Sequence, residues 1–194
     1  QRQMCIRGRC VGWAVHGKTL GIVGMGRIGQ ALARRAALGF GMRVLYHNRH
    51  LVPDEQLGVL RGQVQPMALQ ELLTASDIVA LVLPLSDATR GMFNAQLLSC
   101  LKPGAIFING SRGALVNEAD LLQALDQGHL RAAGLDVFAT EPLPLDSPLR
   151  SHPKVVALPH IGSATHETRL AMANLAVDNV LDALAGRTPA AVYR

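Results

Sequence analysis

The chain has 194 residues, and a hydrophobic fraction of 49% supplies enough material for the core of one large globular domain. The formal net charge is +5, but four of the 19 basic residues and none of the 14 acidic ones lie in residues 1–18. The remainder is therefore nearly neutral, which argues against a nucleic-acid partner. Three cysteines without zinc spacing and the lack of a long apolar stretch argue against a metal site, a disulfide framework and a membrane span. We expect a cytoplasmic protein that binds small molecules and a second copy of itself.

The first predicted element is a short apolar strand beginning at Thr19 that runs directly into a glycine-rich turn over residues 24–29. In a dinucleotide-binding fold, Gly24 permits the tight turn, Gly26 lets the backbone approach the pyrophosphate, and Gly29 lets the next helix pack closely. The N-terminus of that helix offers unpaired N–H groups and a partial positive charge to an anion. The pattern predicts a nucleotide-binding turn, and the alternative is a purely structural tight turn.

Strands and helices alternate along the rest of the chain. We predict helices at residues 28–38, 69–75, 94–101, 117–127 and 164–185, and strands at residues 43–46, 78–83, 105–109, 131–136 and 155–158. Apolar strands separated by helices indicate a parallel sheet covered on both faces. The predicted fold class is α/β, a Rossmann-type doubly wound parallel sheet with helices on both faces. Ligands of such sheets bind beyond the carboxyl ends of the strands.

The residues after the second strand bear on which dinucleotide is bound. An NAD-binding fold usually has an acidic residue here for the ribose 2′-hydroxyl, but this chain has His47, followed by Asn48 and Arg49. An arginine can instead pair with a 2′-phosphate through its fork of N–H groups. We predict a preference for NADP(H), with NAD(H) as the second cofactor. The alternative is that Arg49 is a solvated loop residue.

Three ionisable residues near the ends of later strands are candidates for the chemistry. Arg112 can hold a carboxylate with two hydrogen bonds, His160 can exchange a proton near neutral pH, and Glu141 can orient an imidazole. Reduction of a 2-keto acid requires this set, because hydride attack on a carbonyl leaves negative charge on its oxygen. Each residue alone is a weak signal. Their positions in a nucleotide-binding fold favour a catalytic role.

Four ordered motifs carry a resemblance to a known family. They are Gly24-Met25-Gly26-Arg27-Ile28-Gly29, Asn109-Gly110-Ser111-Arg112-Gly113, Gly134-Leu135-Asp136-Val137-Phe138 with Glu141-Pro142, and Pro159-His160-Ile161-Gly162-Ser163-Ala164-Thr165. In order and spacing they are similar to the signatures of the D-isomer-specific 2-hydroxyacid dehydrogenases. Within that family the chain most resembles the bacterial glyoxylate/hydroxypyruvate reductases that also reduce 2-ketogluconate.

The resemblance implies a role for each matching residue. Arg112 would bind the substrate carboxylate and carbonyl, His160 would be the acid and base, and Glu141 would favour the charged imidazole. The residues implied or predicted to contact the cofactor are Gly24, Gly26, Arg27, Ile28, Gly29, Asn48, Arg49, Leu83, Pro84, Gly110, Ser111, Asp136 and Gly162. The family also implies a homodimer for the full-length protein.

The family carries a separate substrate domain, built mainly from residues that precede the cofactor domain, and only eighteen residues precede the first strand here. We therefore expect the substrate domain to be largely missing. The expected division is a poorly ordered remnant at residues 1–17, the cofactor domain at 18–163, and a connecting helix and tail at 164–194. Two functions stay open: a reductase or its cofactor half, and a non-catalytic dinucleotide-binding module like the corepressor relatives of this family.

Several other polar residues have no clear pattern. Ser86 and Thr89 are candidates either for cofactor contact or for capping a loop. His16, His50, His129 and His152 are expected at the surface.

Overall fold

The structure is a computed structural model, and it describes residues 12–191. The chain divides between Pro159 and His160 into two compact units, which we describe separately. The predicted remnant at residues 1–17 falls mostly outside the described residues. The other predicted domain boundaries stay predictions.

The first unit is built on a seven-stranded sheet in which every neighbouring pair of strands is parallel. The strand order is β3-β2-β1-β4-β5-β6-β7. The chain therefore starts near the middle of the sheet, adds β2 and β3 on one side of β1, and then adds β4 to β7 on the other side. The strands are β1 (Thr19–Val23), β2 (Arg43–His47), β3 (Val64–Pro66), β4 (Ile78–Leu81), β5 (Ala105–Asn109), β6 (Leu130–Leu135) and β7 (Val155–Ala157). This arrangement confirms the predicted doubly wound α/β fold.

Helices connect these strands. The α-helices are α1 (Arg27–Arg34), α2 (Asp54–Leu57), α3 (Leu69–Ala75), α4 (Ala95–Ser99), α5 (Glu118–Asp126), α6 (Pro148–Ser151) and α7 (His166–Leu184). A π-helical turn, Arg35–Gly39, continues α1, and 3-10 turns lie at Gly58–Leu60 and Gly113–Leu115. None of the helices within residues 12–191 is long and apolar enough to cross a bilayer.

Two hydrophobic cores lie on opposite faces of the sheet, because successive side chains of a strand alternate between its faces. In β4, Val79 and Leu81 join one core, while Ile78 and Ala80 join the other. The first core also takes side chains from α3, α4 and α5, whereas the second takes Ala33 from α1. Helices therefore cover both faces of the sheet, as predicted.

The sequence located most elements well and missed the shortest ones. The helix α3 and the strand β5 have the predicted bounds, and Asn94 caps α4 by accepting a hydrogen bond from the Leu97 N–H at 3.1 Å. The missed elements are β3, α2 and α6, each of only three or four residues. Segments this short have too few residues to display a periodicity.

The amino-terminal edge of the sheet carries a partly buried carboxylate, Asp77, which precedes β4. Its Oδ2 accepts a hydrogen bond from the Thr19 N–H at 2.9 Å, and its Oδ1 accepts one from the Lys102 Nζ at 2.6 Å. Burial works to raise the pKa of Asp77, but the Lys102 ammonium and the Thr19 N–H outweigh it and hold the pKa below its usual value. These contacts tie the starts of β1, β4 and β5 together.

The second unit consists mainly of α7. Thr165 caps this helix, since its Oγ1 accepts the Thr168 N–H at 3.2 Å. The observed helix begins two residues later than the predicted one, because Thr165 takes the capping position. Apolar side chains such as Leu170, Val177 and Leu181 lie along the helix, and none of them is buried within the unit.

Candidate functional site

The glycine turn between β1 and α1 requires two of its glycines for internal reasons. Gly24 has a φ of +106°, and a Cβ on it would lie 2.7 Å from the Val82 carbonyl oxygen. A Cβ on Gly29 would lie 2.1 Å from the Gly24 carbonyl oxygen. Both positions need glycine because the chain folds tightly on itself there. The predicted roles of Gly24 in the turn and Gly29 in close helix packing agree with these contacts.

Gly26 differs from these two glycines, because nothing in the protein crowds it. Its φ of −74° is accessible to any residue, and a Cβ added there would meet no atom within 4 Å. Gly26 is also the N-cap residue of α1 and makes no side-chain capping bond. The first-turn N–H groups of Arg27 and Ile28 therefore have no partner from within the helix or its cap. The space beside Gly26 is thus uncrowded at the N-terminus of α1, a position where phosphates bind in other proteins.

The loop after β2 is tied to the glycine turn. The Gly24 N–H donates to the His47 carbonyl oxygen at 2.9 Å, and the Met25 N–H donates to the Asn48 Oδ1 at 3.2 Å. Arg49 follows and is exposed. The structure therefore gives Asn48, a predicted cofactor contact, a hydrogen-bonding role within the protein.

The segment after β4 holds Leu83, which is half-buried, and Pro84, which is exposed. Thr89 Oγ1 accepts the Ser86 N–H at 2.8 Å and donates to the Pro84 carbonyl oxygen at 3.0 Å. Of the two roles considered for Ser86 and Thr89, these bonds correspond to loop capping.

The segment after β5 contains an unpartnered buried hydroxyl. Ser111 is 7% exposed, and its Oγ is one of two buried side-chain polar atoms within residues 12–191 that have no hydrogen-bond partner. The Asn109 Oδ1 accepts the Ser111 N–H at 3.1 Å, which fixes the backbone of this turn. Leaving a buried hydroxyl without a partner costs about 1–3 kcal/mol. A ligand that hydrogen-bonds to Ser111 would remove this cost.

The second such atom is the Nε2 of His129, before β6. The expectation that His129 lies at the surface is therefore wrong for this part of its ring. His152 was also expected to be exposed, but its side chain is 10% exposed and its Nε2 lies 3.1 Å from the Asp126 Oδ1. The pairing of His152 with Asp126 cannot be read from the sequence, because the two residues come from different elements.

Gly113 brings the predicted anion-binding arginine next to the loop that carries Glu141. A Cβ on Gly113 would lie 1.8 Å from the Phe138 carbonyl carbon, so only glycine allows these two backbones to touch. Arg112 precedes Gly113 and is exposed, and one of its terminal N–H groups donates to the Ser111 carbonyl oxygen at 2.7 Å. The Glu141 Oε1 accepts the Phe138 N–H at 3.0 Å. The sequence motif around Gly113 does not reveal this role, because Phe138 belongs to a separate segment.

Asp136 is half-buried and directly follows β6. Its N–H donates to the Asn109 carbonyl oxygen at 3.0 Å, which continues the pairing of β5 with β6 by one residue. Gly110, by contrast, is exposed. Together with the glycine turn, these residues lie at the carboxyl-terminal edge of the parallel sheet, where ligands of such folds bind.

His160 is the first residue of the second unit and has an unusual backbone. Its φ of +55° makes it the one non-glycine residue with positive φ among residues 12–191. Such conformations cost about 1–3 kcal/mol and cluster at functional sites. Gly162, a predicted cofactor contact, follows it and is exposed.

The residues of the first unit fit a bound dinucleotide on two observations. The space before Gly26 is open where a phosphate would meet the helix N-terminus, and the buried Ser111 hydroxyl has no protein partner. If a dinucleotide is bound, Arg27 and Ile28 would hold its pyrophosphate by their N–H groups. Within the described residues there is no group of three or more side chains suited to a metal ion.

Comparisons with known proteins agree with this geometry. The chain is 55% identical over 176 residues to a glyoxylate/hydroxypyruvate reductase B of Citrobacter koseri, covering 91% of this chain and 53% of that protein. The chain thus spans about half the length of the curated relatives it matches.

Two crystal structures are also similar. A glyoxylate reductase from Paecilomyes thermophila is 39% identical with a TM-score of 0.82, over 89% of this chain and 51% of that one. A D-isomer specific 2-hydroxyacid dehydrogenase from Xanthobacter autotrophicus Py2, in complex with NADPH and MES, is 34% identical with a TM-score of 0.79, over 95% and 74%. Residues 1–162 match the family model of the D-isomer specific 2-hydroxyacid dehydrogenase NAD binding domain, and the chain belongs to this family.

Proposed function

We propose that this chain is the cofactor-binding part of a reductase that transfers hydride from NADPH to a small 2-keto acid. Glyoxylate, hydroxypyruvate and 2-ketogluconate are the proposed substrates, and the product is the D-2-hydroxy acid. The observation that carries the proposal is the uncrowded space beside Gly26 at the N-terminus of α1, whose first-turn N–H groups have no partner within the helix. Relatives named glyoxylate/hydroxypyruvate reductase that share 55% of the aligned residues support the choice of reaction.

A nicotinamide, when bound, supplies the hydride for such a reaction. In the proposal, the Arg112 guanidinium anchors the substrate carboxylate by charge-assisted hydrogen bonds and so orients the neighbouring carbonyl. The His160 imidazolium gives its proton to the carbonyl oxygen as negative charge develops there. The Glu141 carboxylate is the group proposed to orient the imidazole. The strained backbone of His160 supports its assignment as the acid, since strain of this kind clusters at functional positions.

The finer cofactor preference rests on the loop after β2. Arg49 is exposed and no acidic side chain follows β2 until Asp54, so the loop offers a cation and no carboxylate to a 2′-phosphate. The relative from Xanthobacter autotrophicus described in complex with NADPH supports the same choice. Titrating this chain with NADPH and NADH tests the preference: tighter NADPH binding is expected, and equal or tighter NADH binding contradicts it.

A homodimer of the full-length protein and a cytoplasmic location complete the proposal. The dimer follows from the family resemblance, and the location from the cysteine content. Size-exclusion chromatography with light scattering would test the dimer.

Turnover tests the reaction. NADPH oxidation should be followed at 340 nm with each of the three keto acids, using a full-length protein in which a substrate domain precedes this chain. In that protein His160→Ala should lower kcat by about 100-fold or more while NADPH affinity changes little. Undiminished turnover would refute the role of His160. NADPH binding without turnover on any keto acid would favour the non-catalytic module.

A further inference from the structure

The Asn48 side chain links the glycine turn, where the pyrophosphate is proposed to bind, to the loop after β2, where the 2′-phosphate is proposed to bind. Its Oδ1 accepts the N–H of Met25, the second residue of the glycine turn, at 3.2 Å. Its Nδ2 donates to the His50 carbonyl oxygen at 2.9 Å. One amide group therefore fastens the loop after β2 both to itself and to the turn.

This arrangement fixes the backbone on both sides of Arg49. The bond from Asn48 to His50 spans one residue, and that residue is Arg49. The backbone of Arg49 is held on both sides, and its exposed side chain extends from a loop that is fixed to the glycine turn. Because His47 also accepts the Gly24 N–H at 2.9 Å, the start of this loop is held as well. The position from which Arg49 projects is thus set relative to the turn.

We propose that Asn48 is a positioning residue for cofactor choice, which acts through Arg49 and does not itself select the cofactor. This inference rests on the proposed function, because it assumes that the glycine turn holds a pyrophosphate. The covalent structure of NADPH fixes how far its 2′-phosphate can lie from its pyrophosphate. A loop fastened to the turn holds the Arg49 cation within that reach and avoids the entropy cost of ordering it on binding. NADH lacks the 2′-phosphate, so its binding does not depend on where Arg49 projects.

The experiment is a double-mutant cycle on the affinity ratio of NADPH to NADH. Wild type, Asn48→Ala, Arg49→Ala and the double variant are each titrated with both dinucleotides by calorimetry. Asn48→Ala should lower the ratio by about 3- to 10-fold, the effect of losing one or two modest hydrogen bonds. In the Arg49→Ala background the same substitution should leave the ratio unchanged within about twofold, because the cation that Asn48 positions is already gone.

A matched control is Asn94→Ala. Asn94 also accepts a backbone N–H, that of Leu97 at 3.1 Å, but it caps α4 and touches neither the turn nor the β2 loop. This variant should lower the melting temperature without changing the affinity ratio. If Asn48→Ala fails to fold, Asn48→Ser is used instead. Its side chain is too short to make both hydrogen bonds of Asn48 but stays polar, and the same outcomes are expected.

The possible results distinguish a failure of this inference from a failure of the proposed function on which it rests. An equal fall of the ratio in both backgrounds would overturn the inference, since Asn48 would then act independently of Arg49. An unchanged ratio in Asn48→Ala would overturn it as well. If wild type binds neither dinucleotide, the proposed function itself fails and the inference falls with it.

Discussion

The amino-terminal and carboxyl-terminal edges of the sheet differ in whether their polar side chains have hydrogen-bond partners within the protein. At the amino-terminal edge, Asp77 is engaged by the Thr19 N–H and the Lys102 ammonium, and these bonds join three strands. At the carboxyl-terminal edge, the buried Ser111 hydroxyl lacks a partner, and Gly26 leaves open space before the first turn of α1. Stability is gained where polar groups are satisfied within the protein, and binding capacity is kept where they are not. Substitution of Asp77 should therefore change stability, whereas substitution of Ser111 or of the uncrowded Gly26 should change ligand affinity.

The largest expected effect is on binding and comes from Gly26→Ala. The added methyl group meets no protein atom within 4 Å, so the free energy of unfolding should change by less than about 1 kcal/mol. The methyl group would occupy the space proposed for the pyrophosphate, and NADPH affinity should fall about 30-fold or more. Calorimetric titration and urea unfolding measure the two quantities. Retained affinity would mean that the open space does not hold the phosphates.

Gly29→Ala provides the contrasting substitution within the same turn. Its methyl group would lie 2.1 Å from the Gly24 carbonyl oxygen, so the backbone must move. Overpacking of this kind costs about 1–3 kcal/mol or more, and the better helix propensity of alanine offsets about 1 kcal/mol of that. We expect a net loss of about 2 kcal/mol in urea unfolding. A stability equal to that of wild type would contradict the tight packing of α1 on the turn.

Asp77→Asn tests the amino-terminal edge and should not affect NADPH affinity. Because the pKa of Asp77 is held below its usual value, the ionised carboxylate stabilises the fold at neutral pH, and this contribution disappears as the pH falls below about 4. The variant should be about 1 kcal/mol less stable than wild type at pH 7, and the difference should shrink progressively as the pH is lowered below about 4. Urea unfolding over a series of pH values from 7 downward measures it. A difference that stays constant throughout the acid range would show that charge is not the cause.

The smallest expected effect comes from Ser111→Ala. Because the hydroxyl has no protein partner, its removal should leave the free energy of unfolding within about 0.5 kcal/mol of wild type or raise it slightly. If the hydroxyl serves a bound dinucleotide, NADPH affinity should fall about 3- to 10-fold. A clear loss of stability with unchanged affinity would assign Ser111 to the protein interior instead.

The sequence predicted those parts of the molecule that depend on local pattern. Continuous apolar strands such as β5 and periodic helices such as α3 have the predicted bounds, because burial on both faces of a parallel sheet imposes the pattern directly. The strand β3 was not predicted, since it has only three residues, Val64–Pro66, and is the outermost strand on one side of the sheet. An edge strand buries little and so carries little hydrophobic signal.

The site was predictable in its residue types but not in the use of each side chain. The glycine turn could be recognised because its motif places glycines where the chain folds tightly on itself, at Gly24 and Gly29, and where a ligand would approach, at Gly26. The bond from the Met25 N–H to Asn48 could not, because it joins residues 23 positions apart whose distance depends on the fold. The contact of Gly113 with Phe138 likewise depends on how β5 and β6 end side by side. Patterns identify the groups available, while tertiary structure decides which of them the protein uses itself.

The central claim is that the carboxyl-terminal edge, and not the amino-terminal edge, receives the dinucleotide. Backbone amide chemical shifts of the ¹⁵N-labelled chain, recorded as NADPH is added, test it most directly. We expect the largest changes at Gly26, Arg27, Ile28 and Ser111, and only small changes at Thr19, Asp77 and Lys102. Changes concentrated at Thr19, Asp77 and Lys102, or no changes at saturating NADPH, would contradict the account.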